Sequence, residues 1–501
     1  MKQPPPFLLL DDNNANLPLY LRIYDSIRMS ILNGEFESQM RLPASRTLAE
    51  ELGVSRMTVM NAYEQLFAEG YLEGKVGAGT FVASRLPEEY LLAAGLNDET
   101  KTMPLARREI KLSPYGAYVS ENAARILENQ GAGSAVPFQH SLPAMDEFPF
   151  EIWSKITQRL HKYANKSLGG FGDSAGFGPL REAVASYLRS ARGVVCGPGE
   201  IIITNGAQQA LDLVGRVLLS HGDRVWVEDP GYLGAKDIFA ATGASLVPVP
   251  VDNEGFDLKK AVEIAPGADL AYVTPSRHFP LGTTMSLQRR LRLLEWAREK
   301  GGWIIEDDYD SEYRYAGRPL ASLQGLDRAG RVIYIGTFSK TIFSALRLGC
   351  MVVPSDLIDL FRTARSLTDQ HSPITEQAVL AEFISEGHFA RHVRKMRTLY
   401  RKRQEILIGE IEKRLGGMLE VSKAEAGMQI VAWLPEGVCD KAVSLELTRY
   451  GIRAAPASEY AVKPLARGGL LLGYTAFSEQ QIRTGVKKMA EVLTRFVGAW
   501  V

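Results

Sequence analysis

The chain has 501 residues, of which 46% are hydrophobic and 23% charged, and its formal net charge is zero. That length is too great for one ordinary core and predicts two or three domains. The sequence contains no apolar run of about 18 residues, which excludes a membrane-spanning helix.

The first residues and the cysteines indicate where the protein works. The apolar run Phe7–Leu10 is too short for a signal peptide. The three cysteines, Cys196, Cys350 and Cys439, lie far apart with no CxxC pair, which excludes a disulfide framework and a classical zinc site. We therefore expect a cytoplasmic protein that binds neither a membrane nor a metal.

Residues 17–83 form a pattern of short helices. Apolar residues at helical spacing from Leu19 to Ile31 predict a first helix that ends at Asn33-Gly34. In RLPASRTLAEELGVSRMTVMNAYEQL, Ser45 and Ser55 are expected to cap two further helices, with a turn at Gly53. The residues expected to face inward on these two helices are Leu48, Ala49, Leu52, Val59, Ala62, Tyr63 and Leu66.

Two short helices joined in this way predict a helix-turn-helix, whose second helix enters the DNA major groove. The hairpin GYLEGKVGAGTFV follows, with Gly77 and Gly79 at its tip and Lys75 nearby. Charge alone does not indicate DNA binding, because residues 1–84 hold seven Lys/Arg against ten Asp/Glu, a net of −3. A small helical subdomain with solvated arginines is the alternative interpretation.

These residues, through RLPASRTLAEELGVSRMTVMNAYEQL and the hairpin, closely resemble the DNA-binding domain of the GntR family. The resemblance implies that Arg46 and Arg56 touch DNA and that Thr58 and the hairpin glycines contact backbone or bases. Met60 departs from the pattern, since some members place a base-reading arginine there, so the operator sequence cannot be carried over. The candidate DNA-binding residues are Arg41, Ser45, Arg46, Ser55, Arg56, Thr58, Lys75, Gly77 and Gly79.

Residues 85–115 are predicted to be a linker, with room for one helical turn in 88–94. After the linker, β-branched runs alternate with helical runs. The predicted strands are Glu200–Thr204, Arg224–Glu228, Ala271–Thr274, Gly302–Asp307 and Arg331–Gly336. This alternation predicts an α/β domain with a mostly parallel sheet. We therefore expect three segments: a winged-helix domain (1–84), the linker, and an α/β domain (116–501) with a large part near 150–375 and a small part near 376–501.

The segment GTFSKTIFSALRLG carries the central chemical signal. A lysine here, Lys340, can form a Schiff base with an aldehyde cofactor. The hydroxyls of Thr337 and Ser339 and the guanidinium of Arg347 can hold that cofactor's phosphate. Alone, a Ser-Lys pair is weak evidence.

Three upstream segments strengthen the prediction that Lys340 binds an aldehyde cofactor. Ala207 and Gln208 open a helix after a strand, so their backbone N–H groups can bind phosphate. Tyr232 can stack on a flat ring. In WIIEDDYDSEYRY, Asp307 can pair with a pyridinium nitrogen and Tyr309 with the ring's phenolate oxygen. Taken singly, Asp307 and Asp308 can be a strand-end pair or metal ligands, and Tyr232 can be filler; the four signals in this order favour the cofactor.

Over about 370 residues the chain resembles fold-type I enzymes dependent on pyridoxal 5′-phosphate (PLP), the aspartate aminotransferase group. Joined to a GntR-like N-terminus, it resembles the MocR branch of GntR regulators. The resemblance implies an N-terminal winged helix-turn-helix, an aminotransferase-like domain, PLP and a head-to-tail homodimer. It also implies two partners, a double-stranded DNA operator and an effector that is an amine or PLP itself.

Two departures bear on the ligand. Aminotransferases place an arginine for the substrate α-carboxylate just before the closing Leu-Gly-aromatic segment, where this chain has Leu471. The GABA-responsive regulator has an arginine shortly after its stacking tyrosine, where this chain reads Leu-Gly-Ala. The candidate replacement cations are Arg277, His278 and Arg453.

Two functions remain at this point. The first is ligand-responsive transcription control, with at most partial transaminase chemistry. The second is a working aminotransferase with an accessory N-terminal module. The missing α-carboxylate arginine disfavours efficient turnover, because the reacting carbon would be poorly positioned.

Overall fold

The structure is a computed structural model that describes residues 17–75, 78–87, 111–128, 135–162, 168–315 and 321–497. It divides into two compact units, 1–110 and 111–501. Most of the predicted linker, including its possible helical turn, lies outside the described residues, and the predicted domain boundaries stay predictions.

The first unit is built on three helices, α1 (Leu19–Leu32), α2 (Ser45–Leu52) and α3 (Arg56–Ala68). The inward residues of α2 and α3 lie in one core with Ile23, Ile27 and Ile31, as predicted. Helix α1 begins at Leu19, as the spacing predicts, and Leu19 itself is 38% exposed because it lies one turn before the buried residues. Gly34 and Gly53 adopt positive φ after α1 and α2, which a side chain would strain.

A two-stranded antiparallel hairpin, the wing, completes this unit. It consists of β1 (Leu72–Lys75) and β2 (Gly79–Val82). Leu72 pairs with Val82 and both are buried in the core of the three helices, which attaches the wing to them. Lys75 pairs with Gly79 at the end of the hairpin where residues 76–78 connect the two strands.

The large part of the second unit contains an eight-stranded sheet in the order β3-β10-β9-β8-β7-β4-β5-β6. Strands β4, β5, β7, β8 and β9 are mutually parallel, whereas β10 and β6 run antiparallel to their neighbours. The mostly parallel sheet was predicted correctly, and the five predicted strands lie within one residue of those found. The strands are β3 (Ile201–Thr204), β4 (Arg224–Asp229), β5 (Ser245–Asp252), β6 (Gly255–Phe256), β7 (Leu270–Val273), β8 (Trp303–Asp308), β9 (Val332–Thr337) and β10 (Gly349–Val352).

Helices cover the large sheet on both faces, as a parallel sheet requires. Neighbouring residues of β8 and β9 lie in different clusters, Ile305 and Ile333 in one and Ile304 and Val332 in another, so successive residues face opposite sides. The helices before the small part are α4 (Pro114–Glu128), α5 (Phe150–Lys162), α6 (Gly178–Arg192), α7 (Ala207–Leu218), α8 (Leu233–Ala241), α9 (Leu258–Ile264), α10 (Leu287–Lys300), α11 (Leu323–Leu326), α12 (Ile358–Asp369) and α13 (Ile374–Ser385).

The small part packs helices on a three-stranded antiparallel sheet in the order β11-β13-β12. One large core cluster joins these strands to the long helix that precedes them and to the last helix. The elements are α14 (His388–Leu415), β11 (Gln429–Trp433), α15 (Asp440–Arg449), β12 (Ala455–Pro456), β13 (Gly469–Gly473) and α16 (Glu479–Val497).

Within the described ranges, no helix is long and apolar enough to cross a membrane. Among the same residues, no group of three His, Cys, Asp or Glu side chains is arranged to hold a metal ion.

Candidate functional site

Helix α3 begins as the sequence predicts. Ser55 is its N-cap, and the Ser55 hydroxyl accepts a hydrogen bond from the Thr58 backbone N–H at 3.1 Å. The Thr58 hydroxyl lies 2.7 Å from the same oxygen. These contacts fix the first turn of α3 and leave Arg56 exposed at its start.

Ser45 does not cap α2, which corrects the prediction. Ala44 occupies the N-cap position, Ser45 is the first helical residue, and the start of α2 has no side-chain cap hydrogen bond. The Ser45 hydroxyl instead accepts from Nε of Arg56 at 3.4 Å, which brings the starts of α2 and α3 together. Arg46 lies beside it, with its side chain 81% exposed and Nε 3.2 Å from Glu50.

The wing brings two further candidate residues together. A Cβ on Gly79 would lie 3.1 Å from Nε of Arg41, so the bare glycine lets the arginine lie across the strand. Lys75 lies over the ring of Phe81, with Nζ 4.9 Å from the centroid, and it donates to Gln39. Gly77 lies outside the described residues.

Two residues on α3 were missed by the sequence analysis. Met57 is 62% exposed, and Asn61, one helical turn later, is exposed on the same face. The signal that was available is their i, i+4 spacing at the start of the second predicted helix. Residues on this face are the ones that a recognition helix presents to base edges.

The second unit gathers its predicted residues at the carboxyl ends of β3, β8 and β9. Gly206, with φ of +93°, caps α7 without a side chain, so the first backbone N–H groups of Ala207 and Gln208 have no side-chain cap. Arg347 donates to the Asn205 carbonyl at 3.1 Å, and its guanidinium lies beside Gly206. A helix N-terminus beside a guanidinium is a phosphate-binding arrangement.

The hydroxyls that follow β9 lie next to each other. The Thr337 hydroxyl accepts from the Ser339 backbone N–H at 3.2 Å. The Ser339 side chain is 7% exposed, and its hydroxyl has no hydrogen-bond partner among the described residues. A buried hydroxyl without a partner is costly, so this group is a candidate contact for a ligand atom.

Lys340 is partly buried behind Ser339. Its Nζ donates to the Ser141 carbonyl at 3.1 Å, and Ser141 adopts a φ of +65°. Burial, aided by the nearby Arg347 charge, lowers the pKa of Lys340 to about 8. An amine with that pKa is partly neutral near pH 7 and can act as a nucleophile.

Asp307 is buried at the end of β8. One carboxylate oxygen accepts from the Tyr272 hydroxyl at 2.7 Å, and the other, Oδ1, has no partner among the described residues. Burial raises the pKa of Asp307 to about 7. A free, buried carboxylate oxygen suits a pyridinium nitrogen, whose proton would satisfy it.

The two tyrosines predicted to contact the cofactor ring lie in this site. Tyr309 accepts a long hydrogen bond from Arg277 at 3.4 Å, and burial raises its pKa well above the usual range. Tyr232 precedes α8 and packs edge-on against Phe279, with ring centroids 6.0 Å apart.

The residues present fit PLP. The orphaned Ser339 hydroxyl and the uncapped start of α7 match a phosphate, the orphaned Asp307 oxygen matches a ring nitrogen, and Lys340 matches an aldehyde. The roles of the individual residues remain predictions.

Aromatic side chains form one wall of the site, which the sequence analysis found only in part. Phe279 contacts four rings edge-on or tilted, with centroids 5.0 to 6.0 Å apart. We call this set the aromatic wall: His140, Tyr232, Phe279, Tyr309 and Tyr460. Leu471 is fully buried in the same cluster. His140 and Tyr460 are distant in sequence, so only the tertiary structure connects them.

Two of the candidate replacement cations are already engaged. Arg277 is buried and pairs with Asp310 at 3.1 Å, and it also donates to the Gln429 carbonyl at 2.6 Å. His278 lies 3.0 Å from the Pro230 carbonyl, and burial lowers its pKa to about 3, so it is neutral near pH 7. His278 therefore carries no charge at that pH, and these contacts occupy the two outer nitrogens of the Arg277 guanidinium.

Comparisons with known families divide the chain in two. Residues 19–82 match the bacterial regulatory proteins of the gntR family. Residues 143–488 match aminotransferase class I and II.

Among similar proteins, the probable rhizopine catabolism regulatory protein MocR of Rhizobium meliloti is 38% identical over 96% of this chain and 95% of its own. The pyridoxine biosynthesis regulator PdxR of Corynebacterium glutamicum is 28% identical over 98% of both chains. Aromatic-amino-acid aminotransferase 1 of Thermococcus litoralis is 30% identical and covers 76% of this chain and 94% of its own.

Solved structures match the second unit. Kynurenine aminotransferase of Pyrococcus horikoshii is 29% identical with a TM-score of 0.68, over 78% of this chain and 96% of its own. The α-aminoadipate aminotransferase LysN of Thermus thermophilus, in complex with N-(5′-phosphopyridoxyl)-L-leucine, is 26% identical with a TM-score of 0.70, over 77% of this chain and 98% of its own.

Proposed function

The chain belongs to the MocR-type transcriptional regulators, in which a gntR-family DNA-binding domain precedes an aminotransferase class I and II domain, and from that premise we propose that it controls transcription in response to an amino compound or to PLP itself. PLP is its cofactor. When bound, PLP supplies an aldehyde that captures amines and a ring that accepts electrons.

One observation carries the proposal. The amine-capturing lysine, the ring-pairing carboxylate and the phosphate groups are gathered in one site, but the neighbouring wall holds a fully buried leucine, Leu471, where an aminotransferase has its carboxylate-binding arginine. Such a site can capture an amine while positioning it poorly for transamination. Capture without turnover is what a sensor requires.

In this proposal each residue has a defined task. Lys340 presents a partly neutral amine, because burial lowers its pKa to about 8. Asp307 holds a proton at the ring nitrogen, and Tyr309 orients the ring through its phenol. The start of α7, Ser339 and Arg347 bind the phosphate. The Thr337 hydroxyl supports Ser339 by accepting a hydrogen bond from the Ser339 backbone N–H.

The DNA contacts belong to the first unit. We place Arg46 and Arg56 at base edges, since both are exposed at the adjoining starts of α2 and α3. The remaining predicted contacts, from Arg41, Ser45, Ser55, Thr58, Lys75, Gly77 and Gly79, are assigned to phosphates and sugars. The proposal includes a head-to-tail homodimer, because a dimer reads two half-sites. It also includes a cytoplasmic location.

The effector, in this proposal, is not an ordinary α-amino acid. Leu471 has no exposed surface. An α-carboxylate placed against it would lose its hydration without gaining a partner, which costs about 2 kcal/mol or more. PLP itself, or an amine whose acidic group lies elsewhere, avoids that cost. Tight conversion of the visible spectrum by several α-amino acids would contradict this part.

The likeness to aminotransferases supports a second candidate, a working transaminase with an accessory DNA-binding module. The intact set of Asp307, Lys340 and Arg347 is the specific observation in its favour. The two functions differ in what they do with an amine: a transaminase releases a keto product on every turnover, whereas a sensor changes its affinity for DNA.

The test combines two assays on the full chain. Binding to a fluorescent DNA fragment from upstream of its own gene is measured with and without PLP and with a panel of amines, next to a steady-state transamination assay. We expect DNA affinity to respond to PLP or an amine, since a ligand shifts such an equilibrium by its differential affinity for two states. Turnover with unresponsive DNA binding would establish the second candidate.

A further inference from the structure

A polar cavity lies where three elements of the second unit meet. These elements are α6 from the large part, the segment that follows β8, and α14 from the small part. The volume of the cavity is about 120 Å³, and since roughly 10–15 Å³ already admits one water molecule, it has room for a small polyatomic ion. The polar residues that line it are Tyr187, Arg192, Ser311, Glu312, Arg314 and Arg397.

The cavity is separate from the cofactor site, because consecutive residues of a strand face opposite sides of the sheet. Asp307 lies in the cofactor site and accepts from the Tyr272 hydroxyl. Asp308, the next residue of β8, instead accepts from Nε of Arg192 and from the Tyr334 hydroxyl, each at 2.7 Å. Arg192 is therefore a buried part of the cavity wall, and Asp308 balances its charge.

Three of the lining residues carry buried polar atoms that have no hydrogen-bond partner among the described residues. These atoms are the hydroxyl of Ser311, Oε2 of Glu312 and Nε of Arg314. Glu312 is 9% exposed, and its other oxygen, Oε1, accepts from the Tyr187 hydroxyl at 2.7 Å, which fixes the carboxylate. Unpaired buried donors and acceptors are costly. Two donors and one acceptor around one cavity indicate a ligand that has both acceptor atoms and a proton to donate.

Arg397, an exposed residue of α14, adds a positive charge to the lining. Its Nε donates to the Glu312 backbone carbonyl, and within the described ranges its two outer nitrogens have no hydrogen bond or ion pair. Arg314 differs, because it pairs with Glu425 at 2.8 Å. The two outer nitrogens of a guanidinium form a planar fork that matches two oxygens of an oxyanion. The cavity therefore offers this fork next to a carboxylate oxygen that lacks a donor.

We propose that this cavity binds an oxyanion that still carries a proton, inorganic hydrogen phosphate, at a second ligand site outside the cofactor site. Its charged oxygens accept from Arg397, from Nε of Arg314 and from the Ser311 hydroxyl, and its P–OH group donates to Oε2 of Glu312. Sulfate has the same tetrahedral shape and the same charge, but it carries no proton near pH 7. It would therefore leave Oε2 of Glu312 unpaired and facing a second negative charge.

The test uses the PLP-loaded full chain, so that the cofactor's own phosphate site is filled, in a phosphate-free buffer at pH 8. Burial, and then the Asp308 charge, raise the pKa of Glu312 to about 7, so the carboxylate is mostly ionised at pH 8. Titration calorimetry with phosphate and with sulfate, at equal ionic strength, measures the two affinities. The wild type is compared with Arg397→Gln, Glu312→Gln and Arg394→Gln. Arg394 is exposed one turn earlier on α14 and does not line the cavity, so its replacement is the matched control.

We expect the wild type and the Arg394→Gln control to bind phosphate about tenfold or more tightly than sulfate, since one hydrogen bond to a charged group separates the two anions. Arg397→Gln should weaken the binding of both anions by about tenfold, because the fork is lost. Glu312→Gln should still bind phosphate but lose the preference over sulfate, because an amide can donate to either anion.

Three results overturn the proposal: no binding of phosphate, equal affinities of the wild type for phosphate and sulfate, or an unchanged affinity in Arg397→Gln. Circular dichroism shows whether each variant folds. If Arg397→Gln does not fold, Ser311→Ala takes its place, since the loss of one hydroxyl should weaken phosphate binding severalfold and an unchanged affinity would again overturn the proposal. The proposed function does not depend on these results, because the cofactor site stays loaded throughout.

Discussion

The two units present their functional side chains in opposite ways. In the DNA-binding unit, the Arg46 side chain is 81% exposed and forms a solvent-exposed ion pair with Glu50. In the aminotransferase-like unit, Asp307 is 4% exposed, and its environment raises its pKa to about 7. The partner of the first unit, DNA, is a polyanion that exposed cations can contact at the surface. The partner of the second unit, PLP, is a small molecule that must be enclosed.

The difference teaches where each function is vulnerable. Exposed arginines can be removed at little cost to folding, because surface ion pairs contribute little to stability. Buried groups in the cofactor site have pKa values and unpaired atoms that depend on one another, so one replacement changes the whole site. Four predictions test this contrast.

The first prediction concerns the buried site. Lys340→Ala should abolish the visible absorption of the lysine-bound cofactor completely, because no other group in the site supplies the amine. The variant should fold, since it removes a buried charge. Absorption spectra and circular dichroism measure both; Lys260→Ala, an exposed lysine paired with Glu263, is the control that should stay yellow. A yellow Lys340→Ala protein would place the reactive amine elsewhere.

The second prediction concerns the exposed site. Replacing Arg46 and Arg56 together by alanine should cost about 1–3 kcal/mol of DNA affinity for each arginine that reads a base, with the melting temperature nearly unchanged. Fluorescence anisotropy with the upstream DNA measures the affinity. The control removes two exposed cations from the other unit, Arg298 and Arg449. Equal losses in both variants would mean that only net charge matters.

The third prediction uses the lowered pKa of Lys340. Burial brings that pKa from 10.5 to about 8, so the neutral amine is the minor form at pH 6 and the major form above pH 8. The rate of PLP capture by the cofactor-free chain should rise about tenfold per pH unit below the pKa and then level off. Stopped-flow absorbance measures it. A rise that continues to pH 10 would show a lysine with its ordinary pKa.

The fourth prediction sharpens the contrast within the DNA-binding unit. Ser55→Ala should destabilise that unit by about 1 kcal/mol, because the N-cap hydroxyl satisfies the Thr58 N–H. Ser45→Ala is the matched control and should cost less, since Ser45 caps nothing. Hydrogen exchange of the α3 backbone amides measures the loss locally. Equal effects of the two changes would contradict the capping assignment.

Local patterns were enough to predict several features from the sequence. The helix-turn-helix follows from the apolar spacing on α2 and α3, with Gly53 between them, and the parallel sheet follows from strands that alternate with helices. Lys340, Asp307 and Arg347 were selected for their residue types and for the order of their segments along the chain, and their roles stay predictions. These features depend on residues that are close together in the sequence, so short segments are enough to predict them.

Other features required the tertiary structure. Ser45 looked like a cap, but the backbone places Ala44 there and turns Ser45 toward Arg56. Nothing in the sequence could distinguish the three candidate cations, which share charge or basicity and differ only in what surrounds them.

Residue types within short segments were enough to predict the two kinds of domain, the cofactor chemistry and the loss of the α-carboxylate arginine at Leu471. The folded chain was needed to show that Arg277 pairs with Asp310. It was also needed to show that Arg453 lies beside the segment leading to His140, with no side-chain partner among the described residues. Residues 140, 277 and 453 are separated by more than a hundred positions. Their electrostatics therefore arise from packing between distant segments, which no local pattern records.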